Sequence, residues 1–80
     1  MKRDYESISS AIESSLDNFF KMHNGYNPES GLYDRVIHEV EKILIEKTLV
    51  HTKKIQIQAS KILGINRNTL RKKMKELNIS

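Results

Sequence analysis

The sequence predicts an all-α fold: two long N-terminal helices that build the core of a homodimer, then a C-terminal helix-turn-helix, four helices in all. Three observations predict it. Apolar residues recur at steps of three and four through both N-terminal segments. Glycine and proline fall only between the helical segments, at Gly25, Pro28, Gly31 and Gly64. Residues 56–74 place a small residue, a glycine and several apolar residues at the offsets that two short crossed helices require.

Tyr5, Ile8, Ile12, Leu16, Phe19 and Phe20 form one helical stripe, which predicts a first helix over about 4–23. Asp4 is the expected cap of its start, and Asn24-Gly25 the left-handed residues that end it. Pro28 biases Asn27 away from helix and marks 26–31 as a connection. A second helix is predicted over 32–51, with apolar residues at Leu32, Tyr33, Val36, Ile37, Val40, Ile43, Leu44, Ile45, Leu49 and Val50. Val36, Val40, Ile43 and Val50 lie along one side, and Tyr33, Ile37 and Leu44 line the adjacent side. A helix apolar over so much of its circumference needs neighbours on two faces. One neighbour is expected within the chain, and the other is most economically a second copy. Ile12, Leu16, Phe19, Phe20, Tyr33, Val36, Ile37, Val40, Ile43 and Leu44 are therefore the expected dimer interface.

Size supports pairing. Eighty residues hold one domain, taken as 1–80, and its core is thin. With no cysteine, neither a disulfide nor a thiolate metal site can staple it, which leaves oligomerisation. No apolar run approaches the roughly 20 residues of a membrane span, and no charged-then-apolar leader opens the chain. A cytoplasmic protein with no membrane partner is expected.

Charge is unevenly shared. Residues 1–51 carry six Lys or Arg against nine Asp or Glu, whereas 52–80 carry eight against one. Clustered cations suit a polyanion, because the affinity comes from counterions released where the cations lie. Solvation of a helical face would leave the same charge run, so composition alone does not decide.

The motif decides. In QIQASKILGINRNTLRKKM, Gln56 to Met74, Ser60 is the small residue at closest approach and Gly64 the turn glycine. Ala59, Leu63, Ile65, Leu70 and Met74 supply the contacts that lock the two helices, over 55–63 and 67–77, onto each other and onto the long helix. Asn66 is the expected N-cap of the last helix. That helix is expected in the major groove of double-stranded DNA with its N-terminal residues at base edges. Arg67 can bond guanine O6 and N7, Asn66 can offer its amide to a purine edge, and Arg71, one turn on, can reach a second base or a phosphate. Thr69, Lys72, Lys73, Gln56 and Lys54 are expected to contact the backbone, which positions the protein without reading sequence.

Gly64 to Lys73, GINRNTLRKK, resembles the signature of the bacterial Fis family, the factor for inversion stimulation, and of the related DNA-binding domains that end NtrC-type transcriptional activators. LYDRVIHEVEKILIEKTLVHT and LDNFFKMHNG extend the resemblance over nearly the whole chain. It implies a four-helix Fis-like homodimer whose first two helices interleave across the two-fold axis, with both helix-turn-helix units on one side. It also implies bending of the DNA, tolerance for A/T-centred sites by shape readout, and a nucleoid-associated regulator of transcription. RNA polymerase or another transcription protein is held open as a further partner.

Three positions depart from the family pattern. The chain begins almost at the first helix, so the N-terminal β-hairpin arm and stimulation of DNA inversion are not expected. Ile43 stands where the family often has a mid-helix proline, which predicts a straighter helix. Lys54-Ile55 replaces the usual Gly-Asn, which removes a capping side chain before the first helix of the motif.

No enzyme is expected, and no cofactor. His38-Glu39 lacks the second histidine of an H-E-x-x-H zinc helix, since Lys42 stands there, and His23, His38 and His51 are far apart in sequence. There is no Gly-rich phosphate loop. A helical protein-interaction module is the alternative of another class, and it predicts DNA affinity that is nil or indifferent to Arg67. Met1 and the immediate helix favour a free-standing protein over a fragment of an NtrC-type activator.

Overall fold

A computed structural model describes residues 2–80, with side chains from Asp4 onward. The described chain forms four helices and no strand: α1 Lys2–Met22, α2 Leu32–His51, α3 Gln56–Leu63 and α4 Arg67–Glu76. It divides into two compact units, one of α1 with its following connection to Leu32, the other running from Tyr33 to Ser80.

In the first unit the helix starts earlier than the sequence reading placed it. Asp4 is therefore not the cap. It lies inside the first turn, where a carboxylate complements the partial positive charge of the helix start. The other end follows the reading, with Asn24 at φ 49° and Gly25 at φ 89° in the left-handed region. Near that end the Phe19 ring stands edge-on to Phe20 at 5.3 Å and packs on His23 at 4.4 Å. His23 Nδ1 lies 2.8 Å from the Phe19 carbonyl oxygen. Leu16 and Phe19 are half-buried, Tyr5, Ile8, Ile12 and Phe20 are exposed, and no described residue of this unit is fully buried. The helix carries an apolar stripe without a core of its own.

The second unit has a core. Ile45 and Leu49 of α2, Ala59 of α3, Leu70 and Met74 of α4 and the following Leu77 form one buried cluster, with Leu63, Ile65 and Ile79 packed against it. The inward face of α2 also carries Thr48, the turn after it the buried Thr52, and α3 the buried Ser60. Each hydroxyl bonds a carbonyl of its own turn: Thr48 Oγ1 to Leu44 at 2.8 Å, Thr52 Oγ1 to Leu49 at 3.3 Å, and Ser60 Oγ to Ile57 at 2.9 Å. Small polar residues can thus approach closely without orphaned groups. Ala59 and Ser60 are the small residues that the motif required.

Helices α2, α3 and α4 end with the same device. After α3, Gly64 at φ 73° lets Ile65 N–H reach back to the Ser60 carbonyl, and Ile65 packs onto the core. After α4, Asn78 at φ 57° does the same for Ile79, whose N–H bonds Met74. After α2 the turn is made by Lys53 and Lys54, at φ 55° and 67°, and Lys54 N–H bonds the Leu49 carbonyl at 2.7 Å. The expected helix ranges shift by one residue as a result: Ile55 flanks α3 and Leu77 flanks α4 rather than belonging to them. Between its ends α2 is unbroken through Ile43.

The remaining apolar residues of α2 find no cover in this chain. Val36 is half-buried, while Tyr33, Ile37, Val40, Ile43, Leu44 and Val50 are exposed, from 40% at Val40 to 77% at Tyr33.

Two outcomes check this packing. Replacing Leu70, which is fully buried, by Ala should cost about 2–5 kcal/mol in a urea titration. Lys54→Gly should instead raise stability by about 1 kcal/mol, since a lysine pays a steric cost in the left-handed region that glycine does not. Lys54→Ala, which keeps that cost, should give no such gain at the same protein concentration.

Candidate nucleic-acid interface

The roll of α4 about its own axis is set by what it buries. Leu70, Met74 and the adjoining Leu77 face the core, and at 3.6 residues per turn this sends Arg67, Arg71 and Lys75 along one exposed edge. Asn68 and Lys72 lie just beyond that edge, also exposed. Thr69, likewise exposed, falls on the opposite flank, the one that carries Lys73. The exposed edge and the residues just beyond it therefore present four cations and an amide on a helix that the core holds in place.

The start of α4 is fixed by a side chain. Asn66, at φ −66° and ψ 145°, accepts the Asn68 backbone N–H on Oδ1 at 2.7 Å. Ser, Thr, Asp and Asn suit this position because a short oxygen-bearing side chain replaces the missing helical acceptor. The cap occupies the oxygen, so the part of the Asn66 amide left free is its NH2 group, a donor to a purine N7 or a phosphate. Arg67 is the first residue of the helix.

The start of α3 is different. Ile55 flanks it with no side-chain cap, as the loss of the family's Asn at this position implied, and Gln56 is its half-buried first residue. The first N–H groups of an α-helix have no partner in their own helix, so these are available to an outside acceptor.

Two expected backbone contacts are placed otherwise. Lys73 turns toward α2, where its Nζ lies 2.6 Å from Glu41 Oε2. The hydrogen bond to Glu41, and next the negative charge of that carboxylate, raise its pKa above the ordinary lysine value. Lys54 extends toward the C-terminal end of the chain, donating to the Ser80 carbonyl oxygen at 3.4 Å. Neither Asn68 nor Lys75 is among the residues expected from the sequence to contact DNA. The signal for both was present in the register, since Lys75 follows Arg67 and Arg71 at steps of four and Asn68 precedes Lys72 by four.

Among the described residues no cluster of three or more His, Asp or Glu is disposed to hold a metal ion, and no helix is long and apolar enough to cross a membrane.

Residues 36–77 match the family model described as bacterial regulatory protein, Fis family. The chain belongs to the Fis family. The match covers α2 from Val36 onward, α3 and α4, the elements that build and present the exposed edge of α4. A putative Fis-like DNA-binding protein of Neisseria meningitidis is 46% identical over 67 residues, which cover 84% of each chain. The DNA-binding transcriptional regulators NtrC of Azospirillum brasilense and of Rhizobium meliloti are each 49% identical over 74 residues, 92% of this chain. The aligned part spans about 15% of the length of those regulators. The similarity to all three extends beyond the matched family region.

In this Fis-family chain Asn66 holds the first turn of α4. Asn66→Ala should lower stability by about 1 kcal/mol, and Asn66→Asp should restore most of it, read from thermal midpoints of the two variants against wild type.

Proposed function

We propose that the chain is a DNA-binding unit of a homodimeric regulator of transcription or nucleoid structure, which reads the major groove with α4 and bends the duplex. The observation that carries this reading is the exposed edge of α4, with Arg67, Arg71 and Lys75 in line on a helix whose adjoining face is buried. Arg67 and Arg71 are one turn apart and suit guanine edges, whereas Lys72 suits a phosphate. The uncapped N–H groups at the start of α3 suit a second phosphate. The names of the relatives in N. meningitidis and A. brasilense agree with this reading. The proposed role is binding, with no residue assigned to catalysis and no cofactor required, and a nucleoid location is part of the proposal.

Pairing follows from surface left uncovered. The α1 stripe and the outer face of α2 together expose Tyr5, Ile8, Ile12, Phe20, Tyr33, Ile37, Val40, Ile43 and Leu44. So many exposed apolar side chains on so small a chain mark an interaction site, and a second copy offers the same need in complementary form. At about 25 cal/mol per Å², covering several such side chains is worth on the order of 10 kcal/mol before ordering costs. Folding and pairing are then one event.

A second reading is favoured by the 49% identity to NtrC over 92% of this chain: the same dimeric DNA-binding unit as part of a larger activator. The size of the native polypeptide, 80 residues or several-fold more, separates the two.

Sedimentation with and without a palindromic duplex tests the reading. Wild type should sediment as a dimer and shift as a dimer on DNA, and Leu44→Glu should sediment as a monomer or unfold. Arg67→Ala should lose about 1–3 kcal/mol on a matched site and relax discrimination at one base, while Lys72→Ala should weaken all sites alike. Equal losses on matched and mismatched sites for Arg67→Ala would refute this division of labour.

A further inference from the structure

We propose that Glu41 competes with DNA for Lys73 and so limits the sequence-independent part of binding. The inference rests on the DNA-binding reading and deepens it. In the basic run of Arg71, Lys72 and Lys73, the third cation reads from sequence like the other two. The structure separates them. Arg71 and Lys72 are exposed with no protein partner among the described contacts, whereas Lys73 is half-buried with its ammonium on Glu41.

The pairing follows from register. Glu41 precedes the buried Ile45 by one turn of α2, and Lys73 lies one turn before the buried Leu77, so both flank the contact between α2 and α4. The two side chains are 33% and 35% exposed, so the contact is partly shielded from water and its charges are incompletely screened. Glu76 of α4 adds a second negative charge on the same side of Lys73. To reach a phosphate, Lys73 must give up a charged hydrogen bond that it already has.

The consequence is electrostatic. Each phosphate neutralised by a protein cation adds roughly 0.9 to the slope of log affinity against log salt. A lysine held by an internal carboxylate displaces no counterion from DNA and adds nothing to that slope. Glu41 thus removes one cation per chain from the non-specific interaction while leaving Arg67 and Arg71 to read bases.

The test is a salt series by fluorescence anisotropy on a duplex without a matched site. It compares wild type with Glu41→Gln, Lys73→Gln, the double variant and Lys72→Gln as control. Glu41→Gln should bind several-fold tighter than wild type at low salt, with a slope steeper by about 0.9 for each phosphate gained. Lys73→Gln should keep the wild-type slope, Lys72→Gln should be shallower, and the double variant should return to wild type. Lys73→Gln is the decisive arm, because the double variant has the wild-type net charge and a mere charge effect would also return it, whereas such an effect would make Lys73→Gln as shallow as Lys72→Gln. A wild-type slope for Glu41→Gln, a shallow slope for Lys73→Gln, or a double variant that stays steep would each overturn the proposal. Were Glu41→Gln not to fold, as judged by circular dichroism, the slope of Lys73→Gln against wild type and Lys72→Gln would decide alone. Wild-type protein with no affinity for any duplex would overturn the DNA reading itself, a different result from all of these.

Discussion

The seat of α4 on α2 and α3 is the contact on which the function depends. A helix of ten residues does not hold its shape in water by itself, because nucleation is costly and few hydrogen bonds repay it. Here the cost is offset by burial of Leu70, Met74 and Leu77 against Ile45, Leu49 and Ala59. The same burial fixes which residues face out. A change of one residue in that register would rotate the helix by about 100° and replace the line of Arg67, Arg71 and Lys75 by a different set. The face that α4 shows is a by-product of packing: the apolar residues choose the angle at which the cations are shown.

The turns serve that seat, and they do so at unequal cost. Gly64 enters the left-handed region freely, and Asn78 enters it with little strain. Lys53 and Lys54 enter it with neither advantage, yet their turn brings the chain from α2 to the start of α3 within four residues. What tolerates the strain is the closure beyond it. Lys54 N–H bonds Leu49, and Ile55 N–H bonds Thr52, so the backbone of the turn is satisfied even though its side chains are unsuited to it. Next to it, α3 starts without a cap. Strain and unsatisfied donors thus lie together at one end of the helix-turn-helix, where phosphate would repay the second of these.

The helix order, both long helices and the turn at Gly64 were legible in the sequence, because each rests on a local signal: apolar period, an Asn-Gly stop, a glycine at a fixed offset. The Asn66 cap was legible for the same reason, since a single residue type in a single place does the work. The division of α2 into an inner face of Ile45, Thr48 and Leu49 and an outer apolar face was only half legible. Periodicity shows that a helix is apolar on two sides but does not say which side meets the same chain, and a threonine on the inner face disguises it further. Side-chain pairing across elements was not legible at all. Lys73 and Glu41 are 32 residues apart, and nothing local distinguishes Lys73 from Lys72 until the roll of α4 is known. Asp4 failed as a cap for a related reason: a good capping residue marks a helix start only where the preceding residues do not themselves continue the helix.

A single helix that belonged to two cores would couple two properties that are otherwise independent. Ile45 and Leu49 hold α4 from one side of α2, while Tyr33, Ile37, Val40 and Leu44 wait on other faces for a partner. If a second copy covers those faces, as proposed, α4 has no freedom relative to α2 and α2 has none relative to its mate. The distance between the two recognition helices is then set by the pairing of the long helices rather than by DNA. A rigid pair whose spacing does not match one turn of straight duplex must make the duplex conform, and the elastic cost then falls on the DNA sequence between the contacts. Preference for particular central sequences would on this account arise without any side chain touching them. Its physical origin would lie in the packing of Ile45 and Leu49 on one side of a helix and of Ile37 and Leu44 on another.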